Sequence, residues 1–412
     1  MNYHPIKSRK GGEHHRHPRH VNSQFDPISR IYVCGSNIKG QLSNPNLSEY
    51  NEIKSVQLPS QTEIKFVDCG FHSTYIVEGG NSLFVCGDNI YGQLGVSGLE
   101  WVDAFIQVPH QEWVGRSITG LYCGGTHAII RVDEDIYVTG NNTNGQLGLG
   151  DRRCRYKFTK LCNVKIKEIS CGSSHTVILT EGDKLWSCGW NDDGQLCLHD
   201  NLERKLLTHI PHNIKGIDQI KCGNYHTLVL NLNKELYTSG YNAYGQLGNG
   251  GNMATNHLKK VLVNFLVKSI FSCSAHTIIL SECGKVYGSG CNGSGQLGTR
   301  HKEDDDKLKH IEIKTKGKIV DVSCRFGNHS LVMTDLGEVL ATGRNKNGQL
   351  ARLDKSDTCS FERIDETFHL EVPYMIRNGM YHKPLIDKRP KMYLLDPSLH
   401  VIHFHDVVFH FV

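Results

Sequence analysis

A cysteine followed four positions later by a histidine recurs along this chain of 412 residues. Thiolate and imidazole are the donors that zinc sites use, so this pair is the first candidate for chemistry. The element Cys-Gly-x-x-His is complete at Cys123/His127, Cys171/His175 and Cys222/His226. It is altered in spacing at Cys69/His72, Cys273/His276 and Cys324/His329, and degenerate at Asn378-Gly-Met-Tyr-His382. One cysteine and one histidine per unit cannot supply four ligands if repeat symmetry holds equivalent residues apart. The expectation is therefore small buried cysteines and hydrogen-bonded core histidines, with no metal. Gly288-Ser-Gly290-Cys-Asn-Gly293 and Gly293-Ser-Gly295-Gln-Leu-Gly298 both spell G-x-G-x-x-G. A dinucleotide site needs that loop between a strand and a helix, and no helical period follows it here, so no cofactor is expected. Near the C-terminus, His403 and His405 would share one strand face, a pattern that suits a metal. With 24 histidines in the chain, coincidence is the simpler reading. No nucleophile–base pair or carboxylate pair stands above this background, so no catalytic residue is assigned.

What must position these residues is a repeat. Gly-x-Asn-x-x-Gly-Gln-Leu opens at Gly35, Gly87, Gly140, Gly189, Gly240, Gly290 and Gly343, with every fixed position kept. Successive copies lie 52, 53, 49, 51, 50 and 53 residues apart, a period that means a propeller or solenoid. Upstream of each frame run short segments of β-branched, aromatic and Leu residues between turn formers. Glu168-Ile-Ser-Cys-Gly172, His175-Thr-Val-Ile-Leu-Thr180 and Lys184-Leu-Trp-Ser-Cys-Gly189 are one such set. Apolar stretches such as Leu206-Leu-Thr-His-Ile210 close each unit as a fourth strand. Four strands in ~50 residues make one propeller blade. The frame glycines suit positive φ, Asn suits the turn, Leu points at a neighbouring blade and Gln satisfies buried backbone.

Net charge is +4, too mild to argue for nucleic acid. The 15 cysteines are an odd number in a long chain without a visible signal peptide, and the repeat accounts for many of them. A reducing cytoplasmic or nuclear setting is expected. No apolar run reaches the ~18 residues of a membrane span. Residues 1–25 are polar and His-rich, with Lys7-Ser-Arg-Lys10 and His14-His-Arg-His-Pro-Arg-His20, and read as a disordered tail with at most weak affinity for nucleic acid. Residues 26–386 read as the propeller and 387–412 as an extension that adds one edge strand.

The frame together with Cys-Gly-x-x-His-Thr resembles the repeat of the regulator-of-chromosome-condensation family, over about Ile31 to His382. The resemblance implies an all-β, seven-bladed β-propeller with four-stranded antiparallel blades. The first frame lacks an upstream Cys-Gly-x-x-His and the degenerate last one lacks a frame. Strand Arg30–Cys34 is thus expected to complete the blade begun by residues 361–386, closing the ring with N- and C-terminal strands. The family includes the exchange factor of the GTPase Ran, a plant ultraviolet-B photoreceptor, ciliary GTPase-regulator-like proteins and modules of large ubiquitin ligases. A Trp-rich photoreceptor face is not available from four tryptophans, and no loop matches the hairpin wedge of the exchange factor.

Function must lie where the copies differ. Residues 96–118 carry Trp101 and Trp113, aromatics suited either to packing between strands or to an interface. Asp151-Arg-Arg-Cys-Arg-Tyr-Lys157 brings Arg152, Arg153, Arg155 and Lys157 together, and Lys302-Glu-Asp-Asp-Asp306 is acidic. The expectation is a monomeric, non-enzymatic scaffold or regulatory adaptor that binds a protein partner. Guanine-nucleotide exchange on a small GTPase of the Ran type is the alternative.

Overall fold

The computed structural model describes residues 30–46, 48–56, 62–109, 111–162, 165–364, 375–376 and 382–387. The expectations for residues 1–25, for 388–412 and for His403 and His405 lie outside them. Among the described residues, apart from a short 3-10 turn at Gln111–Trp113, the regular elements are β-strands. They form four-stranded antiparallel blades. Blades one to six are each built of four consecutive strands, spanning Ile64–Gln107, Ile118–Cys162, Ile166–His209, Ile217–Val261, Val267–Ile311 and Ile319–Arg363. A further sheet joins Arg30–Ser36 and Glu49–Val56 to Met375–Ile376 and His382–Asp387. Its central pairing sets Gly35 opposite His382. His226 faces Gly240 in the same way in blade four, so the degenerate His382 keeps the repeat register. Residues 361–363, expected with the rest of 361–386 to begin the closing blade, belong instead to Thr358–Arg363, the outer strand of blade six.

No blade encloses its own core. A single sheet has two apolar faces and must bury each against a neighbour. The hydrophobic clusters accordingly straddle the seams. Leu228, Leu230, Leu236 and Val261 of blade four pack with Val267, Ile270 and Ile279 of blade five. Ile31 and Val33 of the further sheet pack with Ile64 and Val67 of blade one. Tyr32 and Ile53 of the same sheet pack on the cluster of Leu331 and Met333 in blade six.

Polar groups carry the seams through to the centre. Main-chain hydrogen bonds pass from blade to blade there, from Phe71 N to Gly125 O (2.9 Å), Gly125 N to Gly172 O (3.2 Å), Ser173 N to Asn224 O (3.3 Å) and Asn224 N to Ser274 O (3.1 Å).

Candidate protein-interaction surface

The fixed residues of the frame are absorbed by architecture. Asn242 is fully buried, and its Oδ1 accepts from Leu247 N (2.9 Å) while Nδ2 donates to Gly251 O and Met253 O. That closes the turn, and Asn37, Asn89, Asn142, Asn191, Asn292 and Asn345 do the same. Gln246 Oε1 accepts from Tyr244 N, and its main-chain oxygen accepts the Thr277 hydroxyl of blade five at 2.7 Å. The second frame glycine sits where the loop meets the next blade. At Gly245, with φ +79°, a Cβ would lie 2.3 Å from Asp306 Cα.

The histidines are structural in the same sense. Nε2 of His127, His175, His226 and His276 meets a hydroxyl of the following blade, Thr176, Thr227, Thr277 or Ser330, at 2.8–3.2 Å. Each of these hydroxyls donates in turn to a frame-Gln carbonyl, so it accepts from the imidazole N–H. Burial drives the four imidazoles down to about 3, so they are neutral near pH 7. The glycine of Cys-Gly-x-x-His leaves room for the ring, because a Cβ on Gly172 would lie 2.1 Å from His175 Cε1.

The altered copies have three distinct explanations. In blade one the core position is taken by Ser73, opposite Gly87, and His72 lies one residue earlier, half-buried. In blade five the spacing is intact but Ser272 holds the cysteine place and Cys273 the glycine place, since Ser272 pairs with Thr277 as Cys171 pairs with Thr176. Blade six has a true insertion. The extra residue turns the chain through Phe326, with φ 55° and its side chain buried, and sends Arg325 across the centre of the ring. Arg325 Nη1 donates to both oxygens of Asp68 (2.8 and 2.7 Å), and Nη2 donates to the carbonyls of Cys123 and Cys171. Asp68 also accepts from Cys69 N and Cys123 N, which satisfies the buried carboxylate. Burial works against the guanidinium charge, but the Asp68 carboxylate outweighs it and holds the pKa above the ordinary arginine value. Sequence reasoning missed this pair. Its signal was the longer spacing from Cys324 to His329.

The centre also joins two cysteines that are not repeat equivalents, where the sequence led to unpaired buried cysteines throughout. Inner strands converge on the axis, and Cys273 and Cys324 come to a Cα separation of 5.0 Å as a disulfide.

The variable residues remain as the source of a site. Trp113 is only 2% exposed and makes edge contacts with Tyr137 and Phe158, so it belongs to the core between blades one and two. Trp101 is 55% exposed on the outer strand of blade one, paired with Asp88. Arg155 is held by Asp151 at 2.8 Å and also donates to Arg153 O, which shapes the turn. Arg152 reaches Glu203 of blade three at 2.5 Å. Arg153 and Lys157 are exposed and make no ion pair among the described residues.

The seam between blades one and two brings the outward-facing residues close. The Tyr156 hydroxyl donates to Ile90 O (3.1 Å) and Ser97 Oγ to Tyr156 O (3.2 Å). Gly92 backs onto Arg155 and Tyr156, where a Cβ would lie 2.5 Å from Arg155 O. Ile90, Tyr91, Leu99, Trp101 and Tyr156 are all exposed around this junction. Aromatic and apolar anchors with a cationic rim make a surface that can hold another protein.

The RCC1-like domain model matches residues 30–385. The chain belongs to that family. It is 29% identical to the ultraviolet-B receptor UVR8 of Arabidopsis thaliana over 354 residues, covering 84% of this chain and 80% of the receptor. With the X-linked retinitis pigmentosa GTPase regulator of Canis lupus familiaris it shares 34% over 148 residues, 34% of this chain and 15% of the regulator. Human WBSCR16 superposes with a TM-score of 0.76 at 19% identity, covering 87% of this chain and 99% of that one. Yeast RCC1 (Prp20), in its complex with Kap60, superposes at 0.77 with 15% identity, covering 95% and 97%. At these identities the two structures speak to the fold, which is the same propeller.

Proposed function

We propose that the chain is a seven-bladed ring that binds a protein partner, as a scaffold or regulatory adaptor, without covalent chemistry. Closure into seven is supported by the last frame, whose Gly348 backs onto Tyr50 O of the closing sheet as Gly245 backs onto blade five. The observation that carries the binding role is the exposed cluster of Ile90, Tyr91, Leu99, Trp101 and Tyr156 beside Arg153 and Lys157, which are exposed and make no ion pair among the described residues. Its fixed residues are spent on architecture, so its side chains are free to choose a partner. The cations favour an acidic partner through long-range attraction. A small GTPase is one such class, since yeast Prp20p has been studied for binding to Gsp1p and to histones. Exchange activity is the weaker reading, because every named strand among the described residues belongs to a blade sheet and none stands out as an added wedge.

The test is quantitative capture by the full chain and by the variant Trp101→Ala/Arg153→Glu/Lys157→Glu. The variant should lose the partners that the wild type holds, and their association should slow as salt rises. Its melting curve should stay within ~0.5 kcal/mol of wild type. Equal capture by both proteins refutes the surface assignment. Accelerated release of labelled guanine nucleotide from a captured GTPase, at substoichiometric chain, would establish the exchange reading instead.

A further inference from the structure

We propose that Cys273 and Cys324 form a redox latch between blades five and six, closed as a disulfide and opened as two thiols. The latch arises from a displacement. In blades three and four the residue after the cysteine is Gly172 or Gly223, and a Cβ there would lie between that blade's own histidine ring (2.1 and 2.3 Å) and the next blade, 2.5 Å from Gly223 O and 2.4 Å from Cys273 O. Blade five puts Cys273 at that place, so its thiol is directed across the seam. Blade six keeps Cys324 at the ordinary cysteine place. The two are thereby brought to a Cα separation of 5.0 Å, within the range a disulfide spans. Cys69, Cys123, Cys171 and Cys222 are buried and free.

His276 makes both states tenable. Its Nε2–H is given to Ser330 Oγ, so Nδ1 is a buried acceptor without a hydrogen-bond partner. A ring nitrogen of His276 and the two sulfurs lie within 4.8 Å of one another, so the neutral imidazole sits beside both thiols when the latch is open. Structural zinc takes four ligands, whereas these three buried donors have no fourth His, Cys, Asp or Glu grouped with them among the described residues, which favours the covalent bond over a metal. Closure by a small-molecule disulfide balances as two thiols plus oxidised glutathione giving the protein disulfide and two reduced glutathiones. The bond joins residues 51 apart and is followed directly by Arg325 and Phe326. A closed latch therefore anchors the segment whose guanidinium crosses the ring to Asp68.

The experiment uses the full chain carrying Cys283→Ser, which removes an exposed thiol. Samples equilibrated with oxidised or reduced glutathione are digested without reduction, melted, and followed by amide exchange. The oxidised sample should yield a peptide linking Cys273 to Cys324, melt higher, and exchange more slowly at Arg325 and Phe326. Added Cys273→Ser should abolish the redox dependence of the melt, and Cys324→Ala should do so independently if the first variant folds poorly. Absence of the linked peptide, equal melts of the two samples, or stoichiometric zinc held by the reduced chain would each overturn the latch.

Discussion

Gly245→Ala separates two reasons for a fixed glycine, and the structure supplies controls for each. Gly245 has φ +79°, and an added Cβ would lie 2.3 Å from Asp306 Cα and 2.9 Å from Asp305 O. The obstacles are main-chain atoms of the next blade, so rotating a side chain cannot relieve them. An L-residue in the left-handed region costs roughly 1–2 kcal/mol. Overpacking a rigid junction adds about 1–3 kcal/mol. The expected loss for Gly245→Ala is thus about 2–5 kcal/mol, and Val should do worse because it is β-branched. Gly182 also has positive φ, +74°, but nothing lies within 4 Å of its added Cβ, so Gly182→Ala should show the conformational cost alone. Gly293 has neither constraint, and Gly293→Ala should be neutral or stabilise by about 0.4–1 kcal/mol through the unfolded chain. Urea midpoints of the three variants should rank in that order, with melting at a fixed scan rate as the alternative if unfolding proves irreversible. If Gly245→Ala unfolds together with Gly182→Ala, the seam contact costs nothing and close approach is not what fixes this glycine.

Three further perturbations bear on closure, centre and pH. Deleting residues 1–25 should leave the melt unchanged, whereas deleting 1–42 removes the strand Arg30–Ser36 that pairs with both Glu49–Val56 and His382–Asp387, and should lower the melting point and solubility; equal behaviour of the two proteins would refute closure by the N-terminal strand. Asp68→Asn or Arg325→Met should each cost about 3–5 kcal/mol by stranding a buried charge, with the double variant less costly than the sum; additive losses in urea would show that the two do not act as a pair. The four buried imidazoles titrate at about 3 in the folded chain against about 6.5 in the unfolded one. Between those values the unfolded chain binds more protons, so stability is complete above pH 6.5 and falls as pH drops, by order of 1.4 kcal/mol per unit per histidine. His226→Gln should flatten the urea midpoint's dependence on pH between 6.5 and 5, and an unaltered slope would remove that histidine from the account.

The blades were legible in sequence because a strand is a local object. Alternating apolar runs, turn residues and a repeat of about 50 residues decide it without knowledge of neighbours. The role of the frame Asn followed for the same reason, since Asn242 bonds to Leu247 N and Gly251 O within its own loop. The pairing of the N-terminal strand with the strand at His382 was also readable, because His382 keeps the register of its better-preserved counterparts. What escaped were contacts made between blades, where one residue of spacing changes which side chain points across a seam. The insertion before His329 sends Arg325 to Asp68, and the shift at Cys273 turns a glycine's open space into a sulfur facing Cys324. The candidate surface divides in the same way. Trp101 and Trp113 have the same composition and nearly the same place in the chain, yet one faces solvent and the other fills a seam. Only the packing of one twisted sheet against the next separates them, because burial belongs to pairs of blades and a sequence pattern describes one blade at a time.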